Sequence, residues 1–219
     1  ISLITSFINL SKSRGLAAGR LRQFIKNSET NNKFLSARQN LFLDFTLPIL
    51  EKYNSALSSR SEIDFNDMIN QAANLVRQKG ITKVYDYIII DEYQDISAAR
   101  FKLITEIRQR SGARLVCVGD DWQSIYRFTG SDISLFSDFS KFVGEHEKLF
   151  IERMYRNSQQ LIDISAKFIQ QNPQQLAKNP KSSKQLDCPV EFAAYDQNNA
   201  FAVLVKQIQR LTVSTLSAS

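Results

Sequence analysis

Residues 85–95 read Tyr85-Asp-Tyr-Ile-Ile-Ile-Asp-Glu-Tyr-Gln-Asp95. An apolar, β-branched run that ends in paired acids predicts a buried parallel strand that brings Asp91 and Glu92 to the edge of an α/β sheet, where ligands bind. Mg²⁺ usually takes one or two protein carboxylates plus substrate phosphates, so a hydrated metal ion fits this position. Glu92 could also orient or deprotonate a water molecule. The alternative is that the acids belong to a turn or to a helix N-cap.

A second strand is predicted over Arg114-Leu-Val-Cys-Val-Gly119, after an amphipathic helix over Ser97–Arg110. Strand, helix and strand in this order form a crossover in a parallel sheet, which makes the fold class α/β. Both strands then end at the same edge. We therefore expect Asp120 and Gln123 to face the region that holds the first pair of acids. An amide side chain both donates and accepts hydrogen bonds, which suits contact with a terminal phosphate.

Two aromatic residues, Tyr126 and Phe128, follow on the same loop and are separated by Arg127. Flat exposed rings beside a cation suit the stacking of unpaired bases. The alternative is that both rings are core residues beneath the loop. The single histidine, His146, lies among charged residues and is interpreted as a solvated loop residue.

The first 28 residues contain five basic residues and no acid, and they predict one or two short helices interrupted near Gly15 and Gly19. Their charge is interpreted either as a solvated helix face or as a surface for a phosphate backbone. A long helix follows over residues 31–58, bent or restarted at Pro48. The next helix runs from the cap Asp64 to Gly80, and its expected buried face contains Phe65, Met68, Ile69, Ala72 and Val76.

The C-terminal third predicts a short strand over Lys148–Ile151, a helix that opens at Met154–Ser158, and a mobile surface connection over Asn172–Gln185. A strand over Pro189–Tyr195 and a helix over Ala200–Leu211 complete the pattern. These segments are typical of the start of a further α/β unit.

Composition favours a folded protein with an acidic partner. The 219 residues are 43% hydrophobic and carry a net charge of +6, so nucleic acid is the expected partner rather than a membrane. Two cysteines form neither a disulfide framework nor a zinc site, which fits a reducing cytoplasm. The sequence has no run of about 20 apolar residues that could cross a bilayer.

Three ordered motifs resemble those of the UvrD/Rep branch of superfamily one DNA helicases. Asp91-Glu-Tyr-Gln-Asp95 resembles the second of them, Gly119-Asp-Asp-Trp-Gln-Ser-Ile-Tyr-Arg-Phe-Thr-Gly-Ser-Asp132 the third, and Tyr155-Arg156 the fourth. The resemblance implies part of a RecA-like P-loop NTPase core with an N-terminal all-helical insert. The domains expected from it are a helical insert over residues 1–63, the later part of the first core domain over 64–150, and the incomplete start of the second over 151–219.

The resemblance also implies a function, which is ATP-driven movement in the 3′ to 5′ direction along single-stranded DNA with duplex unwinding. Its implied cofactors are ATP and Mg²⁺, and its implied partners are single-stranded DNA and DNA junctions. Asp91 would hold Mg²⁺ and Glu92 would activate the hydrolytic water. The other implied roles are γ-phosphate contact for Gln123, charge stabilisation for Arg156, adenine stacking for Tyr155, coupling for Gln94, Asp95 and Asp120, and base stacking for Tyr126 and Phe128.

The sequence departs from the family pattern at Thr129, where arginine is common, and at Met154 and Asn157. It also contains no Gly-x-x-x-x-Gly-Lys-Ser/Thr, the loop that holds the β- and γ-phosphates. We therefore expect an internal fragment of a longer helicase that is inactive as an ATPase by itself. We also expect an exposed sheet edge or gap, at which the isolated chain dimerises or is disordered. The alternatives are a single-stranded DNA-binding module that has lost its P-loop, or an interaction protein built on the same scaffold.

Overall fold

The structure is a computed structural model that describes residues 2–16, 18–26, 32–126, 128, 130–173 and 175–216. It divides into two compact units, the first formed by Ile1–Lys148 and Pro173–Leu176, and the second by Leu149–Asn172 and Ala177–Ser219. The predicted domain boundaries at residues 63 and 150 stay predictions.

A parallel pair of strands lies at the centre of the first unit. Strand β1 (Tyr87–Ile90) pairs with β2 (Arg114–Cys117), with Tyr87 opposite Arg114 and Ile90 opposite Cys117. The strands are connected by helix α5 (Ala98–Ser111), which is capped by the Ser97 side chain. The predicted strand, helix and strand, and with them the α/β class, are confirmed.

The sheet is covered on one face only. Ile90 and Cys117 pack against a core of Tyr93, Ile96 and Leu135, whereas Ile89 on the other face is 71% exposed. The prediction that these strands are buried is therefore wrong, because half of their side chains are exposed and the other half are only partly buried. The described helices that pack against the sheet supply apolar contacts to one face.

The N-terminal part of the first unit is helical, with α1 (Ser2–Ser13), α2 (Ala18–Lys26) and α3 (Lys33–Ser59). Their core contains Leu21, Leu43, Leu47 and Leu50. Helix α3 contains Pro48 in its interior, so the predicted restart there is wrong. The apolar stripe continues past the proline and keeps the helix packed on both sides of it. Of the two expected interruptions, Gly15 is one, while Gly19 lies inside α2.

Helix α4 (Phe65–Lys79) begins and ends where the sequence predicts. The Asp64 side chain accepts a hydrogen bond from the Asp67 amide, and Gly80 follows the helix with a φ of 78°. Phe65 and Met68 are exposed, which corrects the expectation that they are buried. The first turn of α4 is held by ion pairs, described below, rather than by apolar packing.

Two short helices, α6 (Ser134–Ser137) and α7 (Phe139–Val143), follow β2 in the first unit. The second unit contains α8 (Gln159–Ile169), which is capped by Ser158, and α9 (Ala200–Leu216). The strands predicted over 148–151 and 189–195 are both wrong, because these segments are irregular. Nearby, Arg153 makes a single parallel bridge to Lys181, and one bridge does not build a ladder.

Candidate phosphate and nucleic-acid site

The chain leaves β1 through a sharp turn that exposes two carboxylates. Glu92 has left-handed backbone angles, with φ 51° and ψ 42°, which cost a residue with a side chain roughly 1 kcal/mol or more. Oδ1 of Asp91 accepts a hydrogen bond from the Glu92 amide at 2.9 Å. Both side chains are exposed at the end of the strand, where they are open to a cation or a water molecule.

Gln94 connects this turn to the end of β2. Its Nε2 donates to Oε2 of Glu92 at 2.7 Å, and its Oε1 accepts from the backbone amide of Asp120 at 3.0 Å. The residue is 1% exposed and lies on the 3₁₀ turn Tyr93–Asp95. One buried amide therefore fixes the two strand ends relative to each other.

A glycine makes room for this amide. An added Cβ at Gly119 would lie 2.6 Å from Oε1 of Gln94 and 3.1 Å from the backbone nitrogen of Tyr93. Gly119 was not among the predicted site residues. The available signal was its position, between an apolar strand and the acids that follow it.

Asp120 carries the connection on to Gln123. Its Oδ2 accepts from Nε2 of Gln123 at 2.8 Å, while its Oδ1 accepts from the Trp122 amide at 3.2 Å. Gln123 is exposed and ends the 3₁₀ turn Asp121–Gln123. A continuous series of hydrogen bonds therefore runs from Glu92 through Gln94 and Asp120 to Gln123. We call these four residues the tip network.

Asp95 lies beside the tip network and is partly buried. Burial raises its pKa, and the neighbouring charge of Glu92 raises it further. Its Oδ1 is buried and accepts no hydrogen bond from the described residues. The coupling role expected for Asp95 stays a prediction.

The aromatic pair on the following loop is exposed. The rings of Tyr126 and Phe128 have centroids 6.0 Å apart and planes inclined at 43°, and Phe128 is 73% exposed. The alternative that they are core residues is therefore wrong, while base stacking stays a prediction. Arg127 and Thr129 lie outside the described residues. The loop ends at Gly130, where an added Cβ would overlap the side chain of Ser13.

Comparison with known proteins gives a family match over this part of the chain. The family described as the UvrD/REP helicase N-terminal domain matches residues 6–144, which is more than half of the chain. The chain belongs to the UvrD/Rep helicase family.

Similarity to individual UvrD/Rep helicases supports this family assignment. The chain is 38% identical to DNA helicase IV of Escherichia coli over 132 residues, which are 60% of this chain and 19% of that protein. It is 28% identical over 167 residues to the putative ATP-dependent DNA helicase YjcD of Bacillus subtilis, covering 74% and 22%. It is 30% identical over 154 residues to the ATP-dependent DNA helicase PcrA of Bacillus subtilis, covering 68% and 20%. The chain spans about a fifth of the length of these relatives.

The segment that resembles the fourth UvrD/Rep motif lies in the second unit. Tyr155 is 66% exposed and Arg156 is also exposed. The Arg153 guanidinium lies 5.5 Å from the centroid of the Tyr155 ring. The adenine and phosphate roles of Tyr155 and Arg156 stay predictions.

A buried ion cluster that no sequence pattern predicted lies at the end of α1. Nζ of Lys12 lies 2.6 Å from Oδ2 of Asp64 and 2.7 Å from Oδ2 of Asp67, and it lies over the Tyr53 ring. Burial alone would lower the pKa of Lys12, but the hydrogen bonds that its ammonium donates to both carboxylates outweigh burial, and the pKa is raised. The same contacts outweigh burial at Asp64 and lower its pKa. Lys12 is therefore neither a solvated residue nor a phosphate contact.

The donor set at Asp91 and Glu92 suits Mg²⁺, which needs few protein ligands when phosphates supply the others. Among the described residues, no group of three or more His, Cys, Asp and Glu side chains is arranged to hold a metal ion. No helix in the described ranges is long and apolar enough to span a membrane.

Proposed function

We propose that this chain is part of a longer ATP-dependent DNA helicase that moves 3′ to 5′ along single-stranded DNA and unwinds duplexes. The tip network is the observation that carries the proposal. It joins a carboxylate at one strand end to an amide at the next through buried Gln94, at the sheet edge where α/β proteins bind ligands. The relatives named as ATP-dependent DNA helicases support the same activity.

Residues at and beside both ends of the tip network act in ATP hydrolysis. Asp91 and Glu92 would hold Mg²⁺, which when bound neutralises charge on the β- and γ-phosphates. Gln94 donates to one oxygen of Glu92, which leaves the other to accept a proton from water. Gln123 contacts the γ-phosphate, Arg156 stabilises charge on it, and Tyr155 stacks on adenine.

Through the tip network, phosphate binding at Gln123 changes the position of the loop that contacts DNA. A phosphate that binds Gln123 competes with Asp120 for the Gln123 amide. The loop that carries Tyr126 and Phe128 begins directly after Gln123, so a shift of the turn moves the two rings. These rings stack on unpaired bases, and DNA junctions expose such bases next to a duplex.

A second candidate is a single-stranded DNA-binding module without ATPase activity. It is favoured by the absence of Gly-x-x-x-x-Gly-Lys-Ser/Thr from the 219 residues. Sequencing the gene around this coding region separates the two candidates. A P-loop in frame upstream supports the helicase, and an open reading frame that encodes no P-loop supports the module.

DNA binding tests both candidates in the chain itself. We expect salt-sensitive binding of fluorescent oligothymidine, measured by anisotropy, and at least a tenfold loss of affinity in the double variant Tyr126→Ala/Phe128→Ala, since stacking contributes about 1–3 kcal/mol per base. Phe192→Ala is a matched control, because Phe192 is also highly exposed but lies in the second unit. Equal affinity in the double variant and the control contradicts the stacking role.

ATP hydrolysis tests the fragment proposal. The 219-residue chain should not hydrolyse ATP, because it has no loop for the β- and γ-phosphates. Steady hydrolysis that Glu92→Gln abolishes contradicts this.

The exposed sheet face supports self-association of the chain. Ile89 and Val116 lie on the uncovered face of β1 and β2, and exposed apolar patches promote association between proteins. We expect dimers in sedimentation velocity, shifted towards monomer by Ile89→Lys. A monomer at all concentrations rules self-association out.

A further inference from the structure

A short segment of the chain interrupts the second unit. Pro173–Leu176 belongs to the first unit, whereas the residues directly before and after it belong to the second. The chain therefore leaves the second unit, packs on the first for a few residues, and returns. The residues that hold it lie next to the tip network.

Two consecutive side chains bind both backbone groups of Leu176. Its amide donates to Oδ2 of Asp121 at 2.7 Å, and its carbonyl accepts from the indole Nε1 of Trp122 at 3.0 Å. The Gln175 side-chain amide, oriented to satisfy its hydrogen bonds, donates to Oδ2 of Asp121 at 2.8 Å and to the Asp121 carbonyl at 3.0 Å. A carboxylate and an indole supply the acceptor and the donor that one peptide residue needs.

These contacts are shielded from water on the Asp121 side. Asp121 is 1% exposed and Trp122 is partly buried. A hydrogen bond from an amide to a buried carboxylate is stronger than one between neutral groups. Breaking the hydrogen bonds that attach this segment to the first unit is therefore energetically unfavourable.

We propose that Asp121 and Trp122 are positioning residues that attach the Gln175–Leu176 backbone to the 3₁₀ turn carrying Gln123. The attachment ties this turn to chain that continues into the second unit in both directions. A displacement of the turn, caused by phosphate at Gln123 or by DNA at Tyr126, is then passed to that chain directly. This coupling rests on the proposed function, whereas the attachment itself does not.

Hydrogen exchange at the Leu176 amide tests the attachment in the 219-residue chain. Asp121→Asn removes the charge and keeps the side-chain size, whereas Trp122→Phe removes the indole donor and leaves a smaller aromatic ring. We expect exchange at Leu176 to become roughly tenfold to a hundredfold faster in Asp121→Asn and several-fold faster in Trp122→Phe. The amides of α5 should keep their rates in both variants.

Asp138→Asn is the matched control, because Asp138 is a half-exposed aspartate paired with Lys141. It should leave the Leu176 amide unchanged. Trp122 is the single tryptophan, so its emission should also shift to the red in Asp121→Asn. Leu176 exchange equal to that of the control in both variants would overturn the attachment.

Oligothymidine separates coupling from a merely structural contact. In the unmodified chain, bound oligothymidine should change Leu176 exchange at least twofold, and Asp121→Asn should lose this response while still binding DNA by anisotropy. DNA binding without any response at Leu176 overturns the coupling. If the chain binds no DNA, the proposed stacking function fails, and the exchange rates of the variants still decide the attachment.

Discussion

Replacing Gln94 with leucine should destabilise the first unit. The residue is 1% exposed and makes two hydrogen bonds, one to a carboxylate and one from a backbone amide. Leucine has a similar size, so the cost comes from polar groups. The Asp120 amide loses its acceptor, at about 1–3 kcal/mol, and the bond to Glu92 adds roughly another 1 kcal/mol because Glu92 is solvated. We expect a total loss of about 2–4 kcal/mol.

Urea denaturation followed by Trp122 fluorescence measures this loss, since the tryptophan lies in the first unit. The midpoint should fall by about 1 M or more, at the slope usual for small proteins. Gln78→Leu is the control, because Gln78 is exposed on α4, and it should change stability by less than about 0.5 kcal/mol. A loss at Gln94 no larger than in this control would refute the bridging role.

Three further predictions concern the ion cluster at Lys12 and the close approach at Gly119. Lys12→Met should lower the free energy of unfolding by about 2–4 kcal/mol, because it leaves two partly buried carboxylates without their cation. The control Arg22→Met breaks a half-exposed ion pair and should lower the free energy of unfolding by less than about 1 kcal/mol. Urea denaturation measures both. The pKa of Asp64 lies below its ordinary 3.8 and that of Lys12 above its ordinary 10.5. The stability difference between the unmodified chain and Lys12→Met should therefore shrink as the pH falls through the lowered pKa of Asp64, and again as it rises through the raised pKa of Lys12. Unfolding over a pH series checks this. Gly119→Ala should displace Gln94 and cost about 1–3 kcal/mol, and equal stability and equal Gln94 side-chain NMR shifts would contradict the close approach.

Local patterns predicted the elements of the first unit well. The run around Ile88, the cap Asp64 and the turn at Gly80 each depend on residues close in sequence, and the structure confirms them. The link between Asp120 and the end of the first strand also agrees with what the parallel pairing predicts. Topology was enough to bring these residues to one sheet edge.

Contacts between residues that are distant in the sequence could not be predicted from local patterns. Burial of Lys12 depends on acids more than fifty residues away in the sequence. The bridge made by Gln94 depends on the space left at Gly119, which no periodic pattern reports. A strand such as 148–151 needs a partner to pair with, and its own apolar residues do not reveal whether one is present.

Both strand ends are proposed to serve one metal and phosphate site. Paramagnetic Mn²⁺, used in place of Mg²⁺ in an NMR titration of the chain, tests it most directly because broadening falls steeply with distance. The amide signals of Asp91, Glu92, Asp120 and Gln123 should broaden together, and Asp91→Asn should abolish the effect at all four. Broadening at Asp91 and Glu92 that leaves Asp120 and Gln123 sharp, or no broadening at any of them, would contradict the account.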